Sequence, residues 1–326
     1  MRLEPREDWV YWVLLQHYAD GNIRRRFVAE GRPAEVADFL REQDEWAVLE
    51  ARVVAETLLL QQLWEAGGCL ITWHDAAYPA ALREAQYPPL ALYALGDVSI
   101  LQEPPIVAFA GSRNASERAL EEAQRLAREL VDEGYHTVTG FARGVDLTVA
   151  ETTLARGGKT IGVLAQGLMH KTAQPTIRAF MHALNDDQLL FLSELHLNAP
   201  WTGKFAMMRN RIVAALGDLL IVVESGVSRE ENGKRAFSGT YECARTARKM
   251  GRPVYALDLP AEGNQQLIRE GIAQVWGDGA AAAPASEASP ASDSLDGAAA
   301  PQKQQTPQKR AAGRKKPSKP ENPSLF

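Results

Sequence analysis

Between residues 106 and 257, short runs dominated by apolar and β-branched residues alternate with longer stretches of mixed polarity. These runs fall at 106–110, 136–139, 160–164, 189–192, 219–223 and 254–257. Their lack of polar alternation predicts strands buried on both faces. The stretches between them, at 116–133, 146–155, 175–184, 209–215 and 240–250, read as helices. Strict strand–helix alternation predicts an α/β fold: a doubly wound, mostly parallel Rossmann-like sheet with helices on both sides.

Residues 7–66 carry apolar and polar positions at helical spacing, most clearly at 9–15, 36–40 and 48–63, and Gly67-Gly68 ends the last of these. They predict a small N-terminal helical domain over 1–68. A connecting region punctuated by Tyr78-Pro79 and Pro88-Pro89 opens the Rossmann-like domain, expected over 69–278. From 279 to 326 the chain is Ala/Pro/Ser and then Gln/Lys/Pro. It has too few large apolar residues to offset chain entropy, so a disordered basic tail is expected there.

Composition narrows the class. Hydrophobic residues make up 45% and charged residues 24% of 326, as in soluble globular proteins. Cys69 and Cys243 stand far apart, which argues against a disulfide framework and for a reducing, cytoplasmic location. The apolar stretch at 9–15 is too short to span a bilayer, so no membrane partner is expected. The net charge is −5, but the tail holds seven basic and four acidic residues, a surplus of +3 that leaves −8 on the body. A nucleic-acid site on such a body is a local basic pocket, not a broad basic face.

In doubly wound sheets, ligands sit outside the carboxyl ends of the strands. The run at 106–110 leads into Gly111-Ser112-Arg113 and then a helix. Glycine lets the backbone approach an oxyanion, Ser112 adds a hydroxyl, Arg113 offers a charged fork, and the helix start presents unpaired N–H groups. The plain alternative is a tight turn whose arginine pairs with a carboxylate. The next strand ends in Gly140-Phe141-Ala142-Arg143-Gly144, a second anion cradle with a ring for base stacking and a cation, followed by Asp146 as a helix N-cap. Lys204 and Phe205 precede Arg209-Asn210-Arg211. Arginines at i and i+2 do not share a helix face, so one can point into a cleft while the other braces the fold. Ser238-Gly239-Thr240 reads either as an oxyanion-binding helix start or as an ordinary N-cap. The six histidines show no metal-ligand spacing, no Ser/His/Asp order stands out, and there is no GxxxxGK[ST] loop. No metal, cofactor or catalytic set is therefore expected.

Taken in order, the motifs resemble the DprA/Smf family of bacterial DNA-processing proteins. They are Tyr78-Pro79, Pro88-Pro89-Leu90 and Gly96-Asp97, then VAFAGSR (107–113), VTGFARGVD (138–146), LARGGKTIGVLAQG (154–167) and SE (193–194). RNRIVAAL (209–216), VVES (222–225), SGTYECARTA (238–247), GRPVYAL (251–257) and GNQQLIREG (263–271) complete the series. The resemblance implies a non-catalytic protein that binds and protects single-stranded DNA and helps load a RecA-type recombinase, as in natural transformation. It also implies a homodimer, with Arg113, the Gly140–Gly144 loop, Arg209 and Arg211 touching DNA. The family's aromatic ahead of RNR falls at Ala206, with Lys204 and Phe205 just before it, and 227–237 is an insertion.

Two other readings stand beside this one. The first is a nucleotide-processing enzyme like the cytokinin-activating phosphoribohydrolases, whose GTxxE turn is one residue shorter here, at Gly239-Thr240 and Glu242. The second is a sensor of a small phosphorylated ligand. The terminus Pro323-Ser324-Leu325-Phe326 resembles short peptides that dock onto the bacterial sliding clamp, with chance occurrence as the alternative.

Overall fold

The computed structural model describes residues 1–85, 87–103, 105–231, 234–236 and 238–277, with only the backbone described at 229–231 and 234–236. The expected basic tail, the clamp-like terminus, and insertion residues 232, 233 and 237 lie outside the described residues.

Five helices come first: α1 (Trp9–His17), α2 (Gly21–Ala29), α3 (Val36–Arg41), α4 (Trp46–Glu50) and α5 (Val53–Glu65). The expected helix over 48–63 is thus two, broken after Glu50. Then follow β1 (Gly68–Thr72), α6 (Ala80–Arg83), β2 (Ala91–Gly96), a short 3-10 helix (Val98–Gln102), β3 (Ile106–Ala110), α7 (Glu117–Asp132), β4 (His136–Thr139), α8 (Val145–Ala155) and β5 (Thr160–Val163). After these come α9 (Gln174–Ala179), α10 (Met181–Asn185), β6 (Leu189–Ser193), α11 (Gly203–Leu216), β7 (Leu219–Val222), and the hairpin β8 (Arg229–Glu231) and β9 (Lys234–Ala236). The described chain closes with α12 (Gly239–Lys249), β10 (Val254–Ala256), α13 (Glu262–Arg269) and β11 (Gln274–Val275).

Nine strands form one sheet in the order β1-β2-β6-β5-β4-β3-β7-β10-β11. From β6 to β11 every pairing is parallel, while β1 and β2 add an antiparallel edge. These two edge strands come from the region expected to be a mere connection. Cys69-Leu70-Ile71 and the run from Ala91 to Leu95 are wholly buried, so their sequences lack the alternation that marks a half-exposed strand.

Residues of β3 alternate between two cores, as the period of two in a strand requires. Ile106, Ala108 and Ala110 join one core with Ile212, Val213 and Ala244 of α11 and α12. Val107 and Phe109 join the other with Leu126 and Leu130 of α7. The first core runs on into the N-terminal helices through Trp12, Leu14, Leu15 and Leu63. Among the described residues, no helix is long and apolar enough to cross a membrane.

The chain builds from β3 outward through β4, β5 and β6, then crosses back to lay β7, β10 and β11 on the other side of β3. Strand order therefore reverses between β3 and β7, and connections leaving in opposite directions open a crevice at the carboxyl ends of those two strands.

Candidate nucleic-acid interface

A cleft of about 640 Å³ occupies that switch point. The turn Gly111-Ser112-Arg113-Asn114 after β3 forms one wall, and Gly226-Val227 with Ser238-Gly239-Thr240 at the start of α12 forms another. One face of α11 closes it through Gly203, Ala206, Met207 and Asn210. Those positions follow the i, i+3, i+4, i+7 spacing of a single helix face.

The walls are held by backbone bonds between loops. Ser112 N–H donates to the Glu224 carbonyl (2.8 Å), and Val145 N–H donates to the Ser112 carbonyl (3.3 Å). Beyond β7, the fully buried Asn264 accepts from Ser225 N–H (2.8 Å) and donates to the carbonyls of Val223 (2.8 Å) and Leu257 (2.9 Å). One side chain thereby fixes the wall that carries Gly226.

At the floor lies Arg209. The residue is 6% exposed, its guanidinium faces Asp146 at 4.0 Å, too far for a hydrogen bond, and its Nε has no hydrogen-bond partner. Burial pushes the Asp146 carboxyl above its ordinary value, opposed by Arg209 and by backbone N–H groups of Ala142 and Gly111. Burial lowers the pKa of Arg209, with Asp146 opposing. The Cys243 thiol beside them is pushed up to about 12 by burial, so it stays a thiol and not a nucleophilic thiolate.

The fold brings together at this cleft Gly111, Ser112, Arg113, Arg209, Ser238, Gly239 and Thr240. Arg209 and Arg211 divide as their spacing requires. Arg211 turns away to a bidentate pair with Glu194 and donates to the carbonyls of Tyr87 (3.1 Å) and Met208 (2.9 Å), so it braces the fold. Lys204 and Phe205 sit on the first turn of α11, off the face that lines the cleft.

The second expected cradle serves as support. Phe141 is 8% exposed and packs edge-on against Phe180 and Phe191, so its ring presents no face to a base. Gly140 makes room for Arg209, since a Cβ there would fall 1.3 Å from Nη1. Gly144, at φ +87°, caps α8 where a Cβ would fall 2.3 Å from the Ser112 carbonyl oxygen. Arg143 is exposed and bonds Asn114 Oδ1, linking the two turns.

Two local expectations change. Asp146 is not the N-cap of α8, which is Gly144; it lies in the first turn and faces Arg209. The start of α7 is not open to an anion, because Ser116 caps Ala119 N–H (3.3 Å) and itself donates through N–H (3.2 Å) and Oγ (2.5 Å) to the Glu224 carboxylate. Trp201, Asn114 and Asn210 also line the cleft, though none is itself a glycine or a cation in the sequence. An isolated tryptophan in a polar segment after a buried strand was the available signal for the first of them.

A doubly wound, mostly parallel sheet, with an arginine-bearing cleft at the point where strand order reverses, defines a Rossmann-like α/β protein. The chain belongs to the DNA recombination-mediator protein A family, whose model matches residues 69–283. It is 29% identical over 204 residues to DNA processing protein DprA of Bacillus subtilis, covering 61% of this chain and 65% of that protein. It therefore spans a little under two thirds of that relative's length. The X-ray structure of Streptococcus pneumoniae DprA matches 84% of this chain and 95% of that one, with TM-score 0.65 and 23% identity, a likeness of fold. The structure of Helicobacter pylori DNA processing protein A, described for its single-stranded DNA binding mode, matches 63% of this chain and 90% of that one. Its TM-score is 0.54 and its identity 27%.

Proposed function

We propose that the cleft binds the phosphates of single-stranded DNA, and that the protein supplies this DNA to a RecA-type recombinase. The observation that carries the reading is Arg209: a buried guanidinium at the floor of an open cleft, with Nε unpartnered and its carboxylate at arm's length. A buried charge whose carboxylate lies beyond hydrogen-bond distance is under-compensated, and an anion entering the cleft beside the guanidinium offsets that. Arg113 at the rim and the N-terminus of α12 add further favourable terms for negative charge.

Family membership supports the choice of nucleic acid over a free anion, and the H. pylori relative supports the choice of single strands. The name of the family, a recombination mediator, supports delivery to a recombinase. Self-association as a homodimer and a cytoplasmic setting, where buried Cys69 and Cys243 stay reduced, belong to the same reading. No part of it calls for a catalytic step.

The test is a salt titration of binding to single-stranded and duplex oligonucleotides, with a mononucleotide as competitor. A single-strand preference and a steep fall of affinity with salt are expected. Saturable mononucleotide binding without oligonucleotide binding at low salt would replace this reading with a small-ligand sensor. Delivery is checked by strand exchange on DNA pre-coated with single-strand-binding protein, where adding the protein shortens the recombinase's lag.

A further inference from the structure

The cleft has an aromatic side that its phosphate-binding residues do not use. Trp201 follows β6 and immediately precedes Thr202, the N-cap of α11 whose Oγ accepts from Phe205 N–H (3.1 Å). The indole is therefore carried on a loop whose far end is anchored. It is 45% exposed, and among the exposed large apolar side chains described it is the one that lines this cleft. The Arg113 guanidinium carbon lies 5.1 Å from its ring centroid, within the range of cation–π attraction. Phe141, the other aromatic near these turns, is enclosed by Phe180 and Phe191 and has no free face.

We propose that Trp201 is the stacking platform for an unpaired base of the strand whose phosphate lies on Arg113 and Arg209. This rests on the single-stranded DNA reading and adds the base to it. A strand entering the cleft brings both a charged and a flat, polarisable group, and the cleft offers a surface for each: the guanidinium groups of Arg113 and Arg209, and the exposed indole beside Arg113. Arg113 touches both, so it holds the ring in place before the strand arrives and meets the adjoining phosphate afterwards. A base in a duplex has its faces covered by its neighbours, so this platform discriminates against double strands, which the charge of the arginines alone does not do. Stacking uses the π-face common to all four bases, so the platform is blind to sequence.

The test compares a short oligothymidylate with an abasic strand of the same length and charge. It uses the full-length protein, Trp201→Ala and Trp201→Phe, with circular dichroism to verify folding. Trp201→Ala is expected to weaken oligothymidylate binding about tenfold, to leave abasic-strand binding unchanged, and to keep the same salt slope. Trp201→Phe is expected to recover most of the loss. If wild type binds oligothymidylate and Trp201→Ala binds it equally well, the platform is refuted while the DNA reading stands. A loss in Trp201→Ala that is equal for both strands refutes it too, because the indole would then be shaping the loop. If wild type binds neither strand at low salt, the DNA reading itself fails, and the platform with it.

Discussion

Gly140 and Arg209 share one space: a Cβ on the glycine would lie 1.3 Å from Nη1 of the arginine. The turn after β4 and the middle of α11 are far apart in sequence, yet the absence of a side chain at one sets the position of the charge at the other. The guanidinium reaches the cleft floor through the gap that glycine leaves. Gly140→Ala is therefore expected to displace Arg209, cost about 1–3 kcal/mol in stability, and reduce oligonucleotide affinity as far as Arg209→Met does. Gly203→Ala is the matched control. It also lies at the cleft, but a Cβ there meets nothing within 4 Å. Urea unfolding and anisotropy titrations on both variants check the pair.

The two rim and brace arginines separate binding from stability. Arg113→Ala is expected to weaken oligonucleotide binding and lower the salt slope by about 1, since one phosphate contact is lost, with unfolding unchanged. Arg211→Met leaves Glu194 buried without its partner. It is expected to cost about 3 kcal/mol in stability, while the slope of log affinity against log salt stays at the wild-type value. Parallel salt titrations and urea melts distinguish the two patterns.

Asn264 supports the far wall from behind. Asn264→Leu is close in size but removes the acceptor for Ser225 N–H and the donor for two buried carbonyls. A loss of about 2–4 kcal/mol is expected from these unmet groups. Faster hydrogen exchange at the amide of Ser225, measured by NMR, is the local signature.

Acid is expected to destabilise the junction between α1 and the sheet through His17. Burial, with His196 adding to it, holds the pKa of His17 down to about 3 from 6.5. His17 stacks on Tyr93 and meets His196 edge-on. The unfolded chain binds the extra proton between those values. The contribution of His17 is thus fully present above pH 6.5 and declines as pH falls towards 3, by at most about 1.4 kcal/mol per pH unit. Glu56 is held below 4.5 in the fold, so it acts in the same direction at lower pH; Asp146, raised by burial, acts in the opposite one. Both are present in His17→Gln, so the difference between its urea-derived stability and that of wild type, followed from pH 6.5 to 4.5, reports His17. A flatter curve for the variant is the expected outcome.

The sequence by itself determined the parallel sheet, because short runs rich in apolar and β-branched residues, without polar alternation, are separated by helical stretches. It also determined the edge at which the cleft opens, since glycine and short polar residues cluster where those strands end. The series of motifs carried the family. The split between Arg209 and Arg211 was legible as a split, because i and i+2 never share a helix face. Which of the two entered the cleft was not, since that depends on where α11 lies against β3 and β4.

Tertiary structure alone decided what each glycine was for. Gly140 and Gly144 read as an anion cradle, but they make room for a guanidinium and for the backbone of Ser112. Tertiary packing also withdrew the ring of Phe141 into the core and left Trp201 at the opening. Aromatic residues have the same hydrophobicity in a core as at a site, so no local pattern separates the two. The strands β1 and β2 were hidden for a related reason: a short apolar run becomes a strand only when a neighbouring strand supplies its hydrogen bonds.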